Sequence, residues 1–227
     1  MGLPLYLAQT GAEFIVCSPI PEFPAWMACH FSPYGTGLCN LPPEFPEHAM
    51  VILNDRIPPQ GHDPEYILAQ LAQIPCGCIL LDFQREDNGE TAKLAQAIVE
   101  SESRPVGVTP QYGRELNCPV FLPSVPIGIP IQEYLAPWNA REIWLEVAMD
   151  RLVYSVTANG SVPSPLSRIP ERGAKDDDLF CHYRIETFDD RAVFSLWRTR
   201  EDVEKLLDSA MTLGVTKAVG LWQDLGR

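Results

Sequence analysis

Two carboxylates and a carboxamide pose the chemical question in this chain. Asp82 and Gln84 follow the apolar run Gly77-Cys78-Ile79-Leu80-Leu81, and Glu146 lies inside Trp144-Leu145-Glu146-Val147. Two carboxyl groups in different surroundings can divide the work of proton donor and base or nucleophile. Asp82 is the first candidate for such a pair, with Glu146 or Asp55 of Asn54-Asp55-Arg56 as its partner. Gln84 occupies a place where an acid would protonate a leaving group, but a carboxamide does not titrate near neutral pH and cannot act as a general acid. Gln84, Arg85, Gln111, Tyr112 and Trp222 are candidate ligand-binding residues, offering amide and guanidinium hydrogen bonds and aromatic faces. Each has a plainer alternative. Asp82 can cap the loop that follows it, Glu146 can form a structural ion pair with Arg141 or Arg151, and the aromatics can be core or rim residues.

These residues share one placement, which points to the elements that carry them. All but Glu146 stand where an apolar run gives way to polar residues, and in a parallel sheet that is the carboxyl end of a strand, where ligand crevices form. Strand-like runs recur at Trp26–Phe31, Ala49–Asn54, Gly77–Phe83, Val106–Gln111, Val120–Ser124, Ile143–Ala148, Ala192–Trp197 and Ala218–Trp222. Helix signals separate several of them. Asp63 and Pro64 open one helix, Glu90 to Glu100 forms another, and Thr199 caps a third over Arg200–Leu213 that Gly214 ends. Strand, helix, strand in this order implies right-handed crossovers and a parallel sheet. The expected fold is an α/β barrel of the TIM (β/α)8 type, formed by a single domain over residues 1–227. Between the Trp26 and Ala49 runs the chain is rich in proline and glycine, so the barrel is expected to lack a helix near its N-terminus. Around 150–190 two further strand-like segments, Arg151–Thr157 and Phe180–Phe188, predict an antiparallel insertion.

Composition excludes whole classes of function. The chain has 227 residues, of which 46% are hydrophobic, so it can bury one sizeable core. A formal charge of -13 with no basic cluster repels nucleic acid and anionic membrane, so neither is an expected partner. The first ten residues have no basic region and no apolar run long enough for export, which predicts a cytoplasmic protein. Seven cysteines sit mostly in apolar strand-like runs, where Cys behaves as a small hydrophobe, so free thiols are expected. Cys29-His30 and Cys181-His182 hold zinc-ligand types, but adjacent strand residues point to opposite faces, so no metal is expected. Asp176-Asp177-Asp178 has no surrounding ligand pattern and reads as a solvated loop. No cofactor is implied, and the oligomeric state is not legible.

The strand Gly77–Gln84 resembles the Asp-Gly-x-Asp-x-Asp-x-Glu strand of the family-18 glycoside hydrolases, the chitinase-like TIM barrels. Gly77, Cys78, Leu80, Asp82 and Gln84 stand at the Asp, Gly, second Asp, third Asp and Glu positions, so Asp82 alone keeps its acid. The stretch Leu213-Gly214-Val215 through Ala218-Val219-Gly220-Leu221-Trp222-Gln223-Asp224-Leu225-Gly226 is similar to the family's last strand, with Trp222 at the sugar-floor tryptophan. In that family the glutamate protonates the glycosidic oxygen while the aspartate orients the substrate's N-acetyl group. The resemblance therefore implies a carbohydrate partner and, with Gln84 in place of the acid, a barrel without chitinase-type hydrolysis. Two other readings stand beside it. One is an active glycoside hydrolase whose carboxylate pair is reassigned to Asp82 with Glu146 or Asp55. The other is a protein-interaction or structural module that uses the 150–190 insertion.

Overall fold

A computed structural model describes residues 2–35, 37–42, 44–59, 61–86 and 89–226. From the N-terminus it forms β1 (Leu5–Gln9), α1 (Gly11–Val16), β2 (Pro24–Phe31), β3 (Leu38–Cys39), β4 (Met50–Asn54), α2 (Pro64–Ala72), β5 (Cys78–Asp82), α3 (Glu90–Ser101), β6 (Val106–Val108) and α4 (Pro110–Gly113). It continues with β7 (Val120–Leu122), α5 (Ile131–Leu135), β8 (Ile143–Val147), then β9 (Arg151–Thr157), β10 (Gly160–Pro165), β11 (Ala174–Asp176), β12 (Cys181–Thr187) and β13 (Arg191–Trp197). It ends in α6 (Arg200–Thr212), β14 (Val215–Leu221) and α7 (Trp222–Leu225).

Eight strands pair in parallel around a closed circuit, β1-β2-β4-β5-β6-β7-β8-β14 and back to β1. This is the expected TIM-type barrel, with one exchange among its strands. Ala192–Trp197 is not a barrel strand but β13 of a second sheet, and the missing barrel strand is β1 at the N-terminus. The pattern misleads because Ala192–Trp197 is apolar on both faces, as a barrel strand would be. A usable signal for β1 lay in Thr10 and Glu13, which form a reciprocal capping box at the start of α1 and so mark a strand-to-helix junction. Between β2 and β4 the described residues hold only the short antiparallel β3 and no helix, as the proline and glycine content predicts. Asp63 caps α2 through Glu65 N at 3.1 Å, and Thr199 with Asp202 forms a capping box for α6.

The insertion is a five-stranded antiparallel sheet, β10-β9-β13-β12-β11, which runs on to Trp197 instead of ending near 190. Cross-strand register and side-chain alternation place Leu152, Tyr154, Phe194, Leu196, Tyr183 and Ile185 on one of its faces.

Alternation also sorts the barrel strands. Tyr6, Ala8, Met50, Ile52, Cys78, Leu80, Phe121, Trp144 and Val219 point inward and pack together, while Val51, Leu53, Ile79, Leu81, Ile143 and Leu145 join the layer under the helices. Trp144 fills one end of the interior. Gly107 on β6 makes room for it, because a Cβ there would lie 2.2 Å from the indole ring, and Lys217 Nζ covers the ring at 4.6 Å from its centroid. Asp82 on β5 and Glu146 on β8 each stand two residues further along an inward column than Leu80 and Trp144. The plugged end therefore leaves the opposite, carboxyl end of the strands as the open mouth. All seven cysteines are free thiols.

Candidate functional site

The mouth holds a cavity of about 700 Å³. Its floor is apolar, from Ala8, Ile52, Leu80, Phe121 and Val219, and its walls carry Thr10, His30, Asn40, Asn54, Asp55, Arg56, Asp82, Gln84, Arg85 and Glu146. A second cavity, of about 640 Å³, lies beneath α2 and α3 at the opposite strand ends. Its arginine, Arg104, is fully engaged with Glu102, Leu71 O, Ile74 O and Cys76 Sγ, so it offers no free donor. The mouth is therefore the cavity with titratable side chains turned into it.

Register builds the polar wall from neighbouring strands. His30 on β2 pairs with Asn54 on β4, and Asn54 pairs with Asp82 on β5, which sets three polar side chains in one row. The β2 register slips between Trp26 and Cys29, and the Asn54 amide bridges that irregularity by donating to Cys29 O at 2.9 Å and Met27 O at 3.4 Å. His30 Nδ1 faces the Phe31 carbonyl at 2.7 Å and therefore carries the proton, leaving Nε2 to accept from Asn40 Nδ2 at 3.1 Å.

Asp82 and Gln84 act on each other. The Gln84 amide donates to Asp82 Oδ1 at 2.8 Å. Burial pushes the Asp82 carboxyl up, Gln84 opposes this, and the negative charge of Asp55 adds to the rise. Across the barrel, burial also pushes Glu146 up. A hydrogen bond from the Ser124 backbone pulls it down, and the charges of Asp82 and Asp150 push it further up. Tyr134, whose hydroxyl donates to Pro123 O at 2.9 Å, is pushed up to about 12 by burial and by the Glu146 charge. Glu146 makes no ion pair with Arg141 or Arg151 among the described residues: Arg141 donates to backbone carbonyls of Gly113, Arg114, Leu116 and Cys118.

Asp55 has a different task. It is almost fully buried, and its two oxygens accept from Gln84 N and Arg85 N, both at 2.9 Å. It thus fixes the loop that presents Gln84 and Arg85. The carbonyls of the same loop are held from the other side, by Thr109 Oγ1 and Gln111 Nε2 on Phe83 O and by Tyr112 hydroxyl on Arg85 O at 2.8 Å. Gln111 and Tyr112 therefore stand behind the loop on α4 and not on the cavity wall. Trp222 begins α7 and packs over Gly226, while Val219, Gly220 and Leu221 before it line the cavity. Of the sequence candidates, the fold gathers Asp55, Asp82, Gln84, Arg85 and Glu146 around one cavity. His30, Thr10 and Asn40 escaped the sequence reading because their placement depends on the β2 irregularity and on β1.

A buried ion pair lies beside this wall. Arg198, 1% exposed, donates to Asp150 Oδ2 at 2.8 Å and Val125 O at 2.7 Å, and its Nε to Phe180 O at 3.3 Å. It ties the segments after β7 and β8 to the chain just before β12 of the insertion sheet.

The raised carboxyls carry a signature in stability. A folded-state pKa above the ordinary carboxylate value means that the folded protein holds extra protons, so stability is lost as pH rises through that raised value. Above that raised value the ionised Glu146 therefore weakens the fold. Glu146→Gln, which keeps an acceptor for Ser124, is expected to raise the melting temperature at pH 7 by a few degrees, at roughly 2–4 °C per kcal/mol for a chain of this size. The gain should vanish in acid, where Glu146 is already protonated. Melting curves of both proteins across pH check this, and a lower melting temperature at pH 7 would mark Glu146 as a structural partner instead.

A closed parallel barrel with its mouth at the carboxyl ends of the strands defines the class of fold: the chain is a TIM-type α/β barrel. No protein-family model and no curated protein matches its sequence. Among solved structures it is similar to a family-18 N-acetylglucosaminidase from Paenibacillus barengoltzii, with a TM-score of 0.61, 7% identity, and coverage of 96% of this chain and 94% of that one. It is similar to a chitinase from Chromobacterium violaceum, with a TM-score of 0.59, 9% identity, and coverage of 96% and 93%. It is also similar to the spore cortex-lytic enzyme SleL of Bacillus cereus, with a TM-score of 0.58, 11% identity, and coverage of 96% and 70%. At these identities the likeness is one of fold. Among the described residues no helix is long and apolar enough to cross a membrane.

Proposed function

We propose that the mouth of the barrel binds a saccharide and does not hydrolyse it by the chitinase route. The observation that carries this reading is the Gln84 amide hydrogen-bonded to Asp82 inside the cavity, where the chitinase-like strand pattern has its proton donor. An amide can hold the aspartate and a sugar hydroxyl, but it has no proton to give. Without general acid catalysis, worth roughly 10²–10⁴ in rate, the route falls nearly silent. The apolar floor and the ring of amides, carboxylates and imidazole suit a sugar, which presents C–H faces and hydroxyls to the same wall.

The test is restoration. Gln84→Glu alone is expected to give no normal chitooligosaccharide turnover, because Gly77 and Leu80 stand at the other two acid positions of the strand. Product analysis by chromatography against the wild type reads this, and robust turnover by the single variant would show an otherwise intact hydrolytic site.

A second reading is favoured by one observation: Asp82 and Glu146 both face the cavity, and burial raises both. Such a pair supplies the acid and base that glycosidic cleavage needs. It is separable from the first reading, since it requires turnover that Glu146→Gln and Asp82→Asn each abolish. Asp55 is a poor partner for it, because both of its oxygens are committed to the loop.

A further inference from the structure

The cavity has a charge asymmetry that a neutral sugar would leave unused. Arg56, just past β4, and Arg85, just past β5, both line it, and both are exposed. Arg85 Nη1 donates to the Arg56 carbonyl at 3.3 Å, so the two stand together over adjacent strands. Neither forms an ion pair with a described residue, although Asp55 lies between them, because that carboxylate accepts the Gln84 and Arg85 backbone N–H groups. Asp82 Oδ1 is taken by the Gln84 amide, and Glu146 lies across the barrel on β8. Glu86, next along the chain, pairs with neither arginine. In a chain of net charge -13 the long-range field repels anions, so two guanidinium groups on a cavity rim with no ion-pair partner among the described residues are a local exception. Guanidinium groups present a planar donor fork that matches a carboxylate.

We propose that the cavity takes a saccharide unit bearing a carboxylate, which Arg56 and Arg85 receive while the ring lies over the apolar floor toward Asp82 and Glu146. The proposal rests on the saccharide reading of the mouth. Two chemistries supply such a group, a hexuronate whose carboxylate is on the ring and a hexosamine whose carboxylate is on an ether side chain.

Calorimetric titration at low salt separates the outcomes, with hyaluronan tetrasaccharide against chitotetraose and N-acetylglucosaminyl-N-acetylmuramic acid against chitobiose. The expected result is that at least one acidic probe binds about tenfold or more tighter than its neutral counterpart. That advantage should shrink with added salt and disappear in the Arg56→Gln, Arg85→Gln double variant. Both arginines are exposed, so the double variant should melt with the wild type. Which acidic probe gains identifies the source of the carboxylate. Equal affinity for acidic and neutral probes, or an acidic preference that survives in the double variant, overturns the proposal and leaves the saccharide site standing. Failure of every probe to bind removes both.

Discussion

Arg198→Met is expected to lower the melting temperature by roughly 10 °C. The substitution keeps much of the side-chain bulk but removes a cation that is 1% exposed, leaving the partly buried Asp150 carboxylate without its partner at 2.8 Å. It also strands the carbonyl of Val125 and loosens that of Phe180. Breaking a buried ion pair by deleting one member costs about 3–5 kcal/mol, and a chain of this length loses about 2–4 °C per kcal/mol. Asp150 is 26% exposed and can recruit water, which holds the cost to the lower part of that range. The double variant Arg198→Met, Asp150→Asn should recover part of the loss, since neutralising the orphaned carboxylate removes the main penalty. Thermal melts of the two single variants and the double one close the cycle. A loss below about 1 kcal/mol for Arg198→Met, the level of an ordinary substitution, would show that the pair does not join the barrel to the insertion sheet.

Asp55→Ala should cost about 3 kcal/mol and abolish ligand binding together. Each hydrogen bond to a charged group contributes about 1.5–3 kcal/mol, and Asp55 makes two, to Gln84 N and Arg85 N. Both receiving residues have exposed side chains, so water replaces part of what is lost. The functional loss is larger than the stability loss implies, because the freed loop no longer aims the Gln84 amide at Asp82 or Arg85 into the cavity. Asp55→Asn keeps one acceptor and should fall between Ala and the wild type in both measurements. A catalytic carboxylate would behave otherwise: Asp55→Asn would leave melting unchanged and remove an activity. Parallel melting and calorimetry on the two variants distinguish the roles.

Much of the barrel was legible in the sequence, for identifiable reasons. The parallel strands β4, β5 and β8 are buried on both faces and read as apolar runs. Their helices announce themselves by local chemistry, Asp63-Pro64 for α2 and Thr199 with Gly214 for α6. β13 imitates a barrel strand because its run is apolar almost throughout, although it pairs antiparallel with β9 and β12 in the insertion sheet. β1 shows in the sequence only as a short apolar stretch before a capped helix. At the site, Asp82 and Gln84 are legible because they follow an apolar run at a strand's carboxyl end, and Glu146 because a carboxylate inside an apolar strand is costly to bury without a purpose. Asp55, Gln111 and Tyr112 are legible as belonging to the region, but their part in clamping the loop depends on contacts between residues 27 to 30 positions apart, which no local pattern encodes. Arg198 gave no sequence signal, since its partners Val125, Asp150 and Phe180 come from three separate segments.

The most direct test of the central claim is a saturation-transfer NMR time course on the wild-type protein with a chitooligosaccharide. One sample reports binding, through saturation passed from protein to sugar protons, and cleavage, through new reducing-end anomeric signals. The expected result is saturation transfer that persists for the whole course, with anomeric signals no different from a sample without protein. New reducing ends that grow with time and disappear in Asp82→Ala would contradict it, and would place an active glycosidase at the mouth of this barrel.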